Sequence, residues 1–222
     1  MTLPRLLKVA RIPTVQTMLP VVTRVKSRRE EYSAATRQAL LESATALFAE
    51  RGYARTSLDE IAAGARVTKG ALYGHFASKQ ALFRAVLEDL EAATTEEVGR
   101  AVAAAGTPWD GALAGLDAFL QACCNTVYGA VVMREAAVAL PYAEWSAAEE
   151  LHSYKMVVGL VEMLIAAGEI DPLPLEAAAR IVHAVVGAAA MLIAGAAPAD
   201  QAKAFEDARA VVLRLAEGIR RR

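Results

Sequence analysis

The sequence predicts an all-α protein in two parts, a three-helix head carrying a helix-turn-helix and a larger helical body, and three observations predict it. Apolar residues recur at helical spacing, and no segment alternates convincingly with period two. The run SLDEIAAGARVTKGALYGHF, residues 57–76, holds two helix-start signals separated by a short break. Charge is segregated: residues 1–80 hold 13 Lys and Arg against 6 Asp and Glu, the remainder 11 against 19, within a net charge of −1. At 222 residues, 55% hydrophobic and 22% charged, the chain can bury one large core or a small head plus a body, which excludes a disordered reading. A basic end beside an acidic remainder suits a chain that meets a polyanion at one end only.

The elements follow in order. Residues 1–29 carry Arg5, Lys8, Arg11, Arg24, Lys26, Arg28 and Arg29 with no acidic residue, and Pro4, Pro13 and Pro20 forbid one continuous helix. Two readings stand for this stretch, taken as 1–32: a basic arm, or a start-site extension, since VTRVKSRREEYS from Val22 would itself be an ordinary beginning. Its apolar run is too short for a secretory signal. From Ser33, Leu40, Ala44, Leu47 and Phe48 form a helical stripe that Gly52 closes. Ser57 and Glu60 make a capping box, so a helix starts there with Leu58, Ile61 and Ala62 on one face. Gly64-Ala65-Arg66-Val67 interrupts it, and Thr68 offers the next N-cap. The second helix turns Lys69, Gly70, Ala71 and Tyr73 outward and Leu72 and Phe76 inward, as a recognition helix does. Its small residues admit close approach to a groove, where the Ala71 methyl could meet a thymine methyl. The DNA-binding unit is thus 33–78.

Ser78 then caps a helix through Leu82, Phe83, Val86 and Leu90 that runs to about Ala105, where Gly106-Thr107-Pro108 breaks it. This helix opens the body, 79–222. Further helices are expected at about 109–128, 130–139, 142–167, 174–196 and 199–221, with Pro141, Gly168, Asp171-Pro172 and Pro198 as punctuation.

The connected string TSLDEIA, the turn, KGALYGHF and Lys79 resembles the tetracycline-repressor (TetR) family over roughly residues 33–90. The resemblance implies an all-helical homodimer with a DNA-reading head, a linking fourth helix and a body that binds a small-molecule effector. It also implies that Thr56, Thr68, Lys69, Tyr73, His75 and Lys79 touch double-stranded DNA, mostly at phosphates, beside the Gly70 and Ala71 surface. Arg66 departs from the pattern, because the family often has glycine there. A left-handed residue with a Cβ costs about 1–2 kcal/mol, so either the turn differs or Arg66 offsets the strain through a phosphate.

No phosphate-cradling loop, paired-cysteine knuckle or H-E-x-x-H occurs, and the three histidines are scattered at 75, 152 and 183. Neither an enzyme active site, a cofactor nor a metal is expected; His152 and His183 with Glu149 or Glu162 lack ligand spacing. Cys123 and Cys124 are adjacent, which rules out an ordinary structural bridge between them and points to a reducing cytoplasm; buried small hydrophobes and a vicinal redox pair are the alternatives. Ile181–Ala199 is uncharged but rich in Ala and Gly, so it is read as a buried helix rather than a membrane span, with Gly187, Ala190 and Ala194 as a smooth strip.

Trp145, Ala148, His152, Met156, Gly159 and Met163 share a stripe on the expected 142–167 helix, and Leu116, Phe119, Cys123 and Val127 could face it. That pairing reads equally as an effector cavity for a largely apolar ligand and as ordinary core. Asp117 and Gln121 are either polar anchors for it or a solvated face. On the last helix Phe205, Val212 and Ile219, beside Ala208, Val211 and Leu215, carry too much apolar surface for water, which calls for a dimer through the last two helices. The expected function is a DNA-binding repressor released from a palindromic operator by its effector. The rivals are a DNA-binding dimer without an effector and a helical-bundle carrier or enzyme.

Overall fold

The computed structural model describes residues 28–141, 143–145 and 150–221. The proposed arm lies outside these residues except for its last five positions, which belong to the first helix. Among the described residues every regular element is helical, apart from one isolated bridge between Ile170 and Arg220.

The head is built from α1 (Arg28–Arg55), α2 (Leu58–Gly64) and α3 (Lys69–His75). Leu40, Leu41, Ala44 and Phe48 bury one face of α1 against Ile61, Leu72 and Phe83. α1 breaks at Gly52, whose φ of 78° is open to glycine at no steric cost. Ser57 caps α2 with both bonds of the capping box present, and the Thr68 hydroxyl accepts from the Ala71 amide at 3.2 Å to start α3. Between them Arg66 sits at φ 57°, the left-handed position that the resemblance flagged.

α4 (Lys79–Ala104), capped by Ser78, lies antiparallel to α5 (Pro108–Cys124), which opens on Pro108 behind the Thr107 cap. Asn125 stops α5, and its Oδ1 accepts from Val127 and Tyr128 to begin α6. α6 bends 71° away from α5 and runs as Thr126–Tyr128, a π-helical segment Gly129–Glu135, and Ala136–Ala139. After a helical turn at 143–145, a second π turn (Glu150–Tyr154) leads into α7 (Lys155–Ala166). The expected unbroken 142–167 helix is therefore corrected: a π turn at Glu150–Tyr154 interrupts its first half before α7, and part of the join lies outside the described residues. α8 (Leu175–Gly195) and α9 (Gln201–Ile219) close the body.

One apolar core runs without interruption from Phe48 in the head to Leu120, Val131, Ile193 and Val212 in the body. A smaller one gathers Trp109, Val161, Leu164 and Ile170, roofed by the Arg220 guanidinium 4.6 Å from the Trp109 ring. α8 is long and apolar enough to cross a membrane by length and composition. It packs on α5, α6, α7 and α9, but Ile181, Met191 and Leu192 stay exposed, so the expected buried helix is corrected to one buried along one side. Ala190 and Ala194 are buried inside this chain, with Ala194 close against Gly129 of α6, and Gly187 is half-buried. The outward apolar residues of the last two helices are Ile181, Met191, Leu192, Val211, Leu215 and Ile219, while Ala208 and Val212 face inward and Phe205 packs on the core.

Candidate functional site

α3 exists because its two ends are specified locally and its middle is anchored by Leu72, which is fully buried. The outward side is Lys69, Gly70, Tyr73 and Gly74, all exposed, with Ala71 half-buried. A Cβ on Gly74 would meet nothing within 4 Å, and one on Gly70 only the Thr68 hydroxyl at 3.9 Å. The face is therefore low, with Tyr73 as its one large projection, 49% exposed. The Lys69 ammonium pairs with Asp59 of α2 at 2.8 Å, and that carboxylate holds the Lys69 pKa above its ordinary value. Both side chains are exposed, so the pair is weak and exchangeable. Arg66 is exposed beside the start of α3, and His75 is half-buried next to Phe76.

Two expected DNA contacts occupy other roles. Thr56 is 2% exposed, and its hydroxyl proton is shared between the Gly52 and Leu47 carbonyls at 2.9 and 3.2 Å. It joins the α1–α2 corner rather than presenting a side chain to a groove. Lys79 turns its ammonium inward, donating to the Tyr53 and Thr56 carbonyls at 2.8 and 2.9 Å over the Tyr53 ring. A third N–H remains, but the side chain is committed to the fold of the head.

Tyr53 and Glu135 are neighbours that the sequence did not single out. The Tyr53 ring packs edge-on against Phe83 and beside Phe48, while its amide donates at 2.8 Å to the Glu135 carboxylate on α6. That carboxylate also lies over Gly52, where an added Cβ would come within 2.9 Å of it. The two residues are 82 positions apart, so no local signal links them.

In the body, Leu116, Phe119, Cys123 and Trp145 do come together in the main core, with Phe119 edge-on to Tyr128. Val127 is half-buried nearby on α6. The rest of the expected stripe is corrected. α7 buries Val157, Val161 and Leu164 against Trp109 and Ile170, one residue, or about 100°, round from Met156 and Met163. Gly159 is exposed with open space at its Cβ position, and Met156, Met163 and His152 occupy a half-buried flank. Asp117 forms a bidentate pair with Arg209 of α9 at 2.6 and 2.9 Å, which uses it structurally. The His152–His183 approach gives way to His183 bonded to the Ser153 hydroxyl at 3.1 Å and edge-on to Tyr154. Burial, helped by Arg180, lowers the His183 pKa. Burial first, then the neighbouring Cys124 and Glu91, pushes the Cys123 thiol up to about 12, and burial raises Cys124 as well. Redox chemistry needs a thiolate, and both sites oppose it.

Comparison with known proteins matches both parts of this architecture. Residues 40–86 match the profile described as bacterial regulatory proteins, tetR family, and residues 109–219 match tetracyclin repressor-like, C-terminal domain. The probable acrEF/envCD operon repressor of Escherichia coli K12 is 52% identical over 48 residues, covering 22% of each chain. The transcriptional regulator TtgR of Pseudomonas putida is 44% identical over 63 residues, 28% of this chain and 30% of that one. These matches span less than a third of the curated relatives' length. Over nearly the whole chain, a TetR-family regulator structure from Pectobacterium atrosepticum aligns at TM-score 0.75 and 27% identity, covering 89% of this chain and 99% of the other. The fold alone is shared with Bacillus subtilis FadR in complex with stearoyl-CoA, at TM-score 0.68 and 16% identity over 80% and 96% of the two chains.

Proposed function

The chain belongs to the TetR family of bacterial transcriptional regulators, and from that premise we propose a cytoplasmic homodimeric repressor released from a palindromic operator by a small, largely apolar effector. The DNA-reading unit spans 33–78 and the effector and dimerisation body 79–222. The observation that carries the reading is the low, exposed Lys69-Gly70-Tyr73-Gly74 face of α3, held on a capped helix-turn-helix. On DNA, Lys69 exchanges Asp59 for a phosphate or a guanine edge, Tyr73 and His75 reach the backbone, and Arg66 and Thr68 flank the helix start. The glycines and Ala71 admit the groove floor.

Two copies present two such faces. They dock through the exposed apolar residues of α8 and α9, Met191, Leu192, Val211 and Leu215 among them, in a four-helix arrangement. The effector lodges beside Leu116, Phe119, Cys123, Val127 and Trp145, with His152, Met156 and Met163 at the flank. Repacking there shifts α4 and changes the spacing of the recognition helices, which must stay about 34–36 Å apart for successive major grooves.

The test uses a duplex selected from a random pool by the full-length protein. Tyr73→Ala and Lys69→Ala are expected to weaken binding to it while leaving dimerisation intact. A phosphate role for Lys69 flattens the salt slope by about one unit, and a base role costs about 1–3 kcal/mol at one position. Wild-type affinity in both variants would overturn the assignment of the face.

A further inference from the structure

At the C-terminal end of α5, where Cys123 forms part of the lining, lies a cleft of about 350 Å³ between the α5–α6 corner and the loop from α8 to α9. The sequence builds it from two chain breaks. Asn125 ends α5, and Gly129 lets the corner press against α8, since a Cβ there would come 2.8 Å from the Cys123 carbonyl and 3.4 Å from the Ala194 methyl. On the other side α8 ends at Gly195, and Pro198 and Gln201 turn the chain into α9. Small residues floor the space, while Asn125, Thr126, Gln201 and Arg134 supply its polar groups.

Arg134 sets the ligand class. One of its Nη atoms donates to the Ala194 carbonyl at 2.7 Å, which anchors the side chain across the cleft. No carboxylate pairs with it among the described residues, so the remaining N–H groups of the fork are available to a planar anion. The next residue in the same π-helical segment, Glu135, points the other way and grips the head through the Tyr53 amide. Adjacent residues of one widened turn thus face the cleft and the head, and π segments recur at functional positions for this kind of redirection.

We propose that this cleft binds a small carboxylate through Arg134, Thr126 and Gln201, and that its occupancy is read by the head through Glu135. The readout rests on the DNA-head assignment, and the ligand measurement does not. Binding draws Arg134 into the cleft, tilts the π turn and loosens the Glu135 bond to Tyr53.

The experiment titrates the full-length protein with sodium benzoate, and with neutral benzamide as control, by calorimetry, and follows hydrogen exchange over residues 52–56. Benzoate is expected to bind and benzamide not. Arg134→Leu should weaken benzoate by about tenfold or more, the scale of a charge-assisted bond, and Arg134→Lys should restore part of it. Bound benzoate should speed exchange at residues 52–56, and Glu135→Ala should abolish that response and, by linkage, bind benzoate somewhat more tightly than the wild type. Equal binding of benzoate and benzamide, no benzoate binding, indifference to Arg134→Leu in a folded variant, or binding without a change at the head would each overturn the proposal. Loss of operator binding by the wild-type protein would strike the regulator reading and leave the benzoate result standing.

Discussion

Two helical segments of seven residues, Lys69–His75 in the head and Gly129–Glu135 in the body, reach their conformations by opposite routes. The first starts at a threonine whose hydroxyl satisfies the Ala71 amide and buries only Leu72, so its ends are written in its own residues. The second has no side-chain cap, buries Gly129, Ala130, Val131 and Val132 in succession, and takes a π pitch that no spacing of its residues announces. A segment buried on several sides loses the alternation that sequence reading relies on, and its pitch is then chosen by what packs around it. The head is locally specified, and the body is specified by contact.

The largest effect should come where the body depends on a second copy. Val211→Glu with Leu215→Glu, both on exposed turns of α9, should convert the dimer to monomer in sedimentation experiments without unfolding either chain. Operator affinity then falls because two half-sites are no longer engaged together. A dimer that survives both charges would move the interface off α8 and α9.

Next in size is Phe48→Ala. Phe48 is fully buried against Phe83 at 5.1 Å and Tyr53 at 5.8 Å, and emptying it should cost about 3–5 kcal/mol. Because the core runs unbroken from Phe48 to Val212, the loss should appear in denaturant unfolding monitored by the body tryptophans as well as by helicity. A tryptophan transition left at its wild-type midpoint would show that head and body unfold separately, which would sharpen the contrast between them.

Thr56→Val tests whether a residue expected at DNA is structural. Removing a buried hydroxyl that serves two carbonyls should cost about 1–3 kcal/mol of stability while leaving the salt dependence of operator binding unchanged. A flatter salt slope at wild-type stability would restore Thr56 to the DNA contacts.

Arg66→Gly should have the smallest effect. Relief of about 1–2 kcal/mol of left-handed strain is offset by about 0.5–1 kcal/mol of extra freedom in the unfolded chain, so stability in denaturant unfolding should rise by about 0–1.5 kcal/mol. If operator affinity drops at the same time, Arg66 holds its strained position for a phosphate contact.

The sequence by itself determined the all-helical class, the helix-turn-helix with its Ser57, Thr68 and Ser78 caps, the break at Gly52 and the buried anchors Leu72 and Phe76. Each rests on interactions within about four residues, where side-chain type and spacing suffice. Tertiary structure alone decided that Thr56 and Lys79 face inward, that Glu135 reaches the Tyr53 amide from 82 residues away, and that α7 turns Val157, Val161 and Leu164 inward instead of the Met156 line. It likewise assigned the buried and exposed sides of α8, where Ala190 and Ala194 pack inside while Met191 and Leu192 stay outside. In an alanine-rich helix apolar on every side, composition names no face, and only the neighbouring helices choose one.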